Sequence, residues 1–146
     1  MSGNHSRSKG RSGEQELVGL IRDHLGVRMQ RRLRQYQTGG WDLEVHPDES
    51  GPVAAQLARY AIECKRLARA APGLLRQHWR QAVRQADASY RRPCLAYRAD
   101  REGWSFVVPM QLLCRDMPAA TADSLDYTCT LTVAGWCALI REGWTV

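Results

Sequence analysis

Lysine is almost missing from this chain. Of its 21 basic residues 19 are Arg, and only Lys9 and Lys65 are Lys. A chain that reaches for Arg whenever it needs positive charge makes the Lys at 65 informative. The five cysteines, Cys64, Cys94, Cys114, Cys129 and Cys137, contain no C-x-x-C pair and are odd in number. That counts against a disulfide framework and a structural zinc site, and points to reduced thiols acting as small hydrophobes. No apolar run approaches the roughly 18 residues of a membrane span, so no membrane partner is expected. The polar opening Met1 to Lys9 lacks the apolar centre of a secretion signal. The expectation is a cytoplasmic protein. No G-x-G-x-x-G, G-x-x-x-x-G-K-[ST] or G-x-S-x-G occurs, which argues against a nucleotide cofactor and a serine-hydrolase elbow.

What is present fits one globular domain. The chain has 146 residues, enough for one core and too few for two. Its net charge of +6 is unevenly spread. Residues 1–40 and 59–101 are strongly basic, whereas 41–58 and 102–146 are net acidic. Basic segments thus bracket an acidic one. That suits a polyanion laid across it, or simply a solvated surface.

Two short runs carry the chemistry. Gly39-Gly40-Trp41-Asp42-Leu43 is followed about twenty residues later by Ile62-Glu63-Cys64-Lys65. If both are neighbouring strands, Asp42, Glu63 and Lys65 converge. Two carboxylates would hold a hard divalent cation through oxygen, with an ammonium beside it. Chance supplies an E-x-K in about one in ten sequences of this composition.

Residues 1–11 read as a flexible basic tail. Ser12 and Gln15 form a capping box that opens a helix to Leu25, stopped by Gly26. Leu17, Val18, Ile21 and Leu25 share its apolar face. Glu14 falls in the middle of that face and Glu16 points away, which makes Glu16 a surface residue. A carboxylate aimed at the core needs a partner or a purpose; first-turn placement at the helix dipole is the other account of Glu14. Val27 to Gln37 reads as a strand with a basic face that includes Arg31, Arg32 and Arg34. Trp41 to Val45 is a second strand, Val53 to Ala58 a helical turn, and Tyr60 to Lys65 a third strand with Glu63 and Lys65 on one face. Pro72 to Tyr90 is a helix burying Leu75, Trp79, Ala82, Val83, Ala86 and Tyr90. Its polar stripes Gln77, Gln81, Gln85 and Arg76, Arg80, Arg84 face phosphates or water. Cys94–Arg98 and Trp104–Val108 form a hairpin. After Met110 come a strand, Tyr127–Val133, and a helix, Ala134–Arg141, expected to pack on the core or to form a subunit contact.

With these residues placed, the chain resembles the PD-(D/E)xK nuclease superfamily and, within it, the archaeal-type Holliday junction resolvases and their phage relatives. The similarity runs from Lys9 to Pro109. Lys9-Gly10-x-x-x-Glu14-x-Glu16-Leu17 is similar to the family's opening helix. Arg34, Thr38 and Asp42 match a pattern of Arg, small hydroxyl and metal-binding Asp. Ile62-Glu63-Cys64-Lys65 resembles the E-x-K strand, and Arg92 to Tyr97 with Gly103 to Val107 resembles the closing hairpin. Gln15 replaces a common basic residue, the gap from Asp42 to Glu63 is longer than in the compact archaeal members, and the segment after Met110 has no counterpart there.

The resemblance implies an α/β, restriction-endonuclease-like core (α-β-β-β-α-β) with a mixed sheet flanked by helices. Its implied bounds are a tail at 1–11, a nuclease core at 12–109 and a C-terminal extension at 110–146 packed on the core. It implies catalytic Glu14, Asp42, Glu63 and Lys65. Mg²⁺ or Mn²⁺ would be held by Asp42, Glu63 and the backbone carbonyl of Cys64, with Glu14 binding directly or through water. Arg34, Thr38, Gln81, Arg31, Arg32, Lys9 and Arg11 would touch DNA. A branched four-way junction is the implied substrate and a homodimer the implied assembly, in a bacterial or phage-infected cell near the nucleoid. The alternatives are another endonuclease of the superfamily (restriction-like, nicking, or flap and repair) and a non-catalytic DNA-binding module of the same fold.

Overall fold

In a computed structural model the described residues are 2–32 and 40–143, with side chains from Lys9 onward. They form a mixed six-stranded sheet whose strand order follows the chain, β1 to β6. The strands are β1 (Met29–Arg31), β2 (Leu43–Val45), β3 (Tyr60–Leu67), β4 (Arg92–Ala99), β5 (Trp104–Pro109) and β6 (Thr128–Thr132). Only β3 and β4 run parallel; every other neighbouring pair is antiparallel. The helices are α1 (Ser2–Leu25), α2 (Pro52–Leu57), α3 (Pro72–Ser89) and α4 (Val133–Glu142). A parallel pair needs a crossover, and α3 supplies it. This is the α/β mixed sheet that the strand and helix pattern implies, and the restriction-endonuclease-like core that the resemblance implies.

Two apolar layers sandwich the sheet. On one face, Leu17 and Ile21 of α1 meet Leu43, Ile62, Cys64, Ala96, Phe106 and Val108. The same cluster takes in Trp136, Cys137, Leu139 and Ile140 of α4. On the other face Trp79, Ala82 and Val83 of α3 cover Leu95 and Val107. Strand β3 lies in the middle of the sheet with its first five residues buried, the pattern of a strand covered on both faces.

Several expectations are corrected. Helix α1 starts at Ser2, ten residues before the Ser12–Gln15 capping box, so residues 2–11 are helical. No proline interrupts that stretch, and its inner end is tied down: Lys9 Nζ lies 3.0 Å from Asp100 Oδ1. Gly13 lets the helix approach closely, since a Cβ there would stand 2.6 Å from Cγ of Arg66. Strand β1 is described only from Met29 to Arg31; Leu33 to Gly39, including Arg34 and Thr38, lie outside the described residues. Tyr90 does not belong to the buried face of α3. It caps the helix in the left-handed conformation (φ 56°) and is 99% exposed.

Glu16 is not a plain surface residue either. It accepts from Trp104 Nε1 at 2.8 Å, pairs with Arg98, and lies 3.8 Å from Arg66. The one-face rule fails because α1 is contacted by the β4–β5 hairpin as well as by the core. The segment after Met110 is part of the fold itself. Strand β6 extends the sheet alongside β5. Trp136 of α4 stacks on Phe106 (5.2 Å, 8°) and meets Tyr60 edge-on (4.7 Å, 77°). No helix of the described residues is long and apolar enough to cross a membrane.

Candidate active site

Strand β2 pairs with β3 at a single register position, Leu43 opposite Ile62. Just before it the backbone still bonds, Asp42 N to Ile62 O at 2.9 Å. One step further along β3 the backbone partner is replaced by a side chain: Cys64 N donates to Asp42 Oδ2 at 2.8 Å. This places the Asp42 carboxylate beside the backbone between Glu63 and Lys65. Residues 62 and 64 turn their backbone groups to the β2 side, so the Cys64 carbonyl shares that side with Asp42. Glu63 and Lys65 alternate with the core-facing Ile62 and Cys64 and therefore project together from the opposite face. Their side chains pair, Lys65 Nζ to Glu63 Oε1, at 3.0 Å.

Glu14 comes from α1 and ion-pairs with Arg31 of β1. Glu14 and Asp42 are each 7% exposed and Glu63 1%. Three carboxylates are thus buried together, and two have cations: Arg31 for Glu14 and Lys65 for Glu63. Asp42 has none among the described residues.

The electrostatics follow from that imbalance. Burial, then the neighbouring Glu63, raises the Asp42 pKa from 3.8 to about 8, against the Cys64 amide, which lowers it. Burial also raises Glu63, opposed by Lys65 and by the amide of Gln85 on α3. Burial alone would push Lys65 down, but Glu63 and then Asp42 outweigh it and its pKa rises. Lys65 is therefore a standing cation at neutral pH, a donor rather than a base. The Cys64 thiol is pushed up by burial and the surrounding carboxylates, so it is not a nucleophile.

A divalent cation fits this donor set. Oε2 of Glu63 is buried without a hydrogen-bond partner among the described residues, and Asp42, which has no cation among them, is held in its protonated form until one arrives. Among the described residues no three His, Cys, Asp or Glu side chains form a metal cage by themselves. The available set is two carboxylates and a carbonyl, completed by solvent, as hard cations accept.

The DNA-facing candidates are placed less uniformly. Arg31 is engaged by Glu14. Arg32 lies 3.6 Å from Glu44 and its guanidinium stacks 3.7 Å from the Trp41 ring centre. Lys9 is paired with Asp100. Arg11 and Gln81 are exposed. Two further residues from α3 reach the site: Gln85 beside Glu63, and His78, whose pKa is lowered by burial and by nearby Lys65. The sequence offers one signal for them. They are seven residues apart, two helical turns, and so share a face of α3.

Fold and site define a PD-(D/E)xK nuclease. The chain belongs to the family described as "Phage putative PDDEXK endonuclease", whose profile matches residues 5–132. No curated protein and no solved structure matches it significantly. Nucleases of this superfamily generally use divalent metal ions.

Proposed function

We propose that this nuclease is a divalent-metal-dependent DNA endonuclease that resolves four-way junctions as a homodimer, with Mg²⁺ or Mn²⁺ as its ion. The observation that carries the catalytic assignment is the Asp42–Cys64 contact, which ties the acid of β2 to the E-x-K strand. Asp42, Glu63 and the Cys64 carbonyl would hold the ion, with Glu14 directly or through water. When bound, the ion would supply a Lewis acid that acidifies water and offsets charge at phosphorus.

The chain's own residues do the rest. Lys65 donates hydrogen bonds, orienting the attacking water and countering negative charge as it develops on the phosphate oxygens. Glu63 fixes the Lys65 ammonium at 3.0 Å, which limits its rotamers before substrate arrives. Burial of the carboxylates excludes bulk water and strengthens every charge interaction in the site. Arg34, Thr38 and Gln81 contact the phosphate backbone near the scissile bond, and the basic flanks add contacts whose strength falls steeply with salt.

The junction preference rests on the motif order from Lys9 to Pro109, and paired subunits would present two sites to symmetric strands. A DNA substrate places the work at the nucleoid of a bacterial or phage-infected cell. The test is cleavage of a synthetic four-way junction with and without Mg²⁺, beside linear duplex and flap substrates of the same sequence. Preferential, paired cuts in the junction support the reading. Equal cutting of linear duplex reassigns the protein to a restriction-like, nicking or repair role, and no cleavage with any divalent ion refutes the nuclease mechanism.

A further inference from the structure

A basic pocket adjoins the segment that carries Asp42. A pocket of about 470 Å³ is lined by Ala58, Arg59, Ser89, Tyr90, Arg91 and Arg92. It opens where β3 and β4 begin and α3 ends. Three of its six residues are Arg and none is acidic. Arg59, Arg91 and Arg92, like several other arginines of the chain, have no carboxylate within ion-pair distance among the described residues; here three such residues share one pocket.

Their backbones and one of their side chains are held in place. Arg92 N donates to Arg59 O at 2.7 Å, and Arg91 N donates to Ala86 O at 2.9 Å. The Arg91 guanidinium also donates to the Ala58 carbonyl. Nη1 of Arg92 is buried and lacks a partner among the described residues. Guanidinium donors with no anion of their own suit phosphate oxygens.

Tyr90 gives the pocket its second chemistry. Its backbone is left-handed (φ 56°, ψ 37°) at a helix end that glycine fills most easily. The residue is 99% exposed, so it gains almost nothing from burial. Unlike Tyr127, which is also left-handed and exposed, Tyr90 stands beside three arginines of one pocket, where an open ring offers a flat face to a ligand.

The pocket is physically joined to the acidic site. The Arg91 guanidinium lies 4.3 Å from the centre of the Trp41 ring, and Arg32 lies 3.7 Å from the same centre. Trp41 directly precedes Asp42. Arg91 is thus tied to the segment that carries Asp42.

We propose that this pocket binds an unpaired nucleic-acid strand adjoining the scissile phosphate, with Arg59, Arg91 and Arg92 on its phosphates and the Tyr90 ring stacked on one base. The proposal rests on the nuclease reading and adds where an unpaired strand lies. Bases inside a duplex are already stacked, so an open aromatic face selects a strand that has left its partner. Overhangs and flaps supply one, as does a four-way junction whose crossover pairs have opened.

The test is fluorescence anisotropy in EDTA, where no cleavage occurs, with a blunt duplex and the same duplex carrying a single-stranded overhang. The wild type should bind the overhang more tightly. Tyr90→Gly removes the ring and relieves the left-handed strain, so melting temperature should not fall. Its preference for the overhang should drop roughly 5- to 100-fold, and Tyr90→Trp should restore it. Arg59→Ala and Arg92→Ala should each lower the salt slope on the overhang by about 0.7. An undiminished overhang preference in Tyr90→Gly overturns the proposal, as does an equal loss on both substrates. If those results accompany normal Mg²⁺-dependent cleavage, the nuclease reading stands and only the pocket assignment falls. If the wild type neither binds nor cuts either substrate, both fall together.

Discussion

Asp42 makes a prediction about stability that is independent of cleavage. Its carboxyl is buried, sits beside Glu63, and has its pKa raised from 3.8 to about 8 in the absence of a cation. In that window the folded protein keeps a proton that the unfolded chain has released. Rising pH therefore favours the unfolded state, by about 1.4 kcal/mol per pH unit for one such group. Raised Glu63 acts in the same direction. His78 acts in the opposite one: its pKa is lowered from 6.5, so the unfolded chain takes up a proton first as pH falls. The clean window is pH 6.5 to 8. Across it the metal-free wild type should lose about 2 kcal/mol, a sizeable part of a domain's total. Asp42→Asn keeps an oxygen that can accept from the Cys64 amide and cannot ionise. In urea titrations with EDTA at several pH values, this variant should show a shallower slope and exceed the wild type in stability at pH 8. Saturating Mg²⁺ should flatten the wild-type slope, because a cation favours the ionised carboxylates. A wild-type stability that does not fall over this window, or an Asp42→Asn slope as steep as wild type, would refute the account of the buried charge.

Other substitutions separate chemistry from scaffold. Lys65→Ala should lower cleavage of a four-way junction at least roughly 100- to 1,000-fold while binding in EDTA persists; gel assays of both check it. Asp42→Asn should likewise bind and not cut, and cleavage at wild-type rate by both variants would dismiss the site assignment. Trp136→Ala should destabilise by about 3–5 kcal/mol in chemical denaturation, since its ring is fully buried against Phe106 and Tyr60. Glu16→Ala should cost about 1–3 kcal/mol, because Trp104 Nε1 and Arg98 lose their acceptor. The cleavage rate per folded molecule should persist in that variant.

How far the sequence could be read depended on whether the relevant signal was local. Strand β3 was legible because an apolar run with Glu63 and Lys65 at a two-residue spacing suits a buried central strand. The cap at Gly26 and the hairpin around Asp100 to Gly103 were legible from turn chemistry, as was the helix opening at Pro72. The start of α1 was not: a capping box marks where a helix can begin, whereas here Lys9 and Gly13 dock an earlier turn onto Asp100 and Arg66. Glu16 was misjudged because helical periodicity describes one contact face and α1 has two. Gln85 and His78 look like members of a solvated helix face until α3 is laid over β3. Tyr90 scores as apolar and in phase, and only its left-handed backbone turns it outward.

The position of α4 has a consequence for how the protein is made. Strand order follows chain order, so each new strand can pair with one already synthesised. Glu14, Asp42, Glu63 and Lys65 all precede the final third of the chain. Yet Phe106, Tyr60 and the inner face of α1 gain their cover only when Trp136, Leu139 and Ile140 arrive. Arg141 then reaches back to the His24 carbonyl at 3.5 Å, joining the last helix to the first. A growing chain on the ribosome would carry every acidic residue of the site on an unroofed apolar sheet, a state prone to association rather than activity. Docking of Trp136, Leu139 and Ile140 is thus the step at which the apolar face behind the acidic residues leaves water.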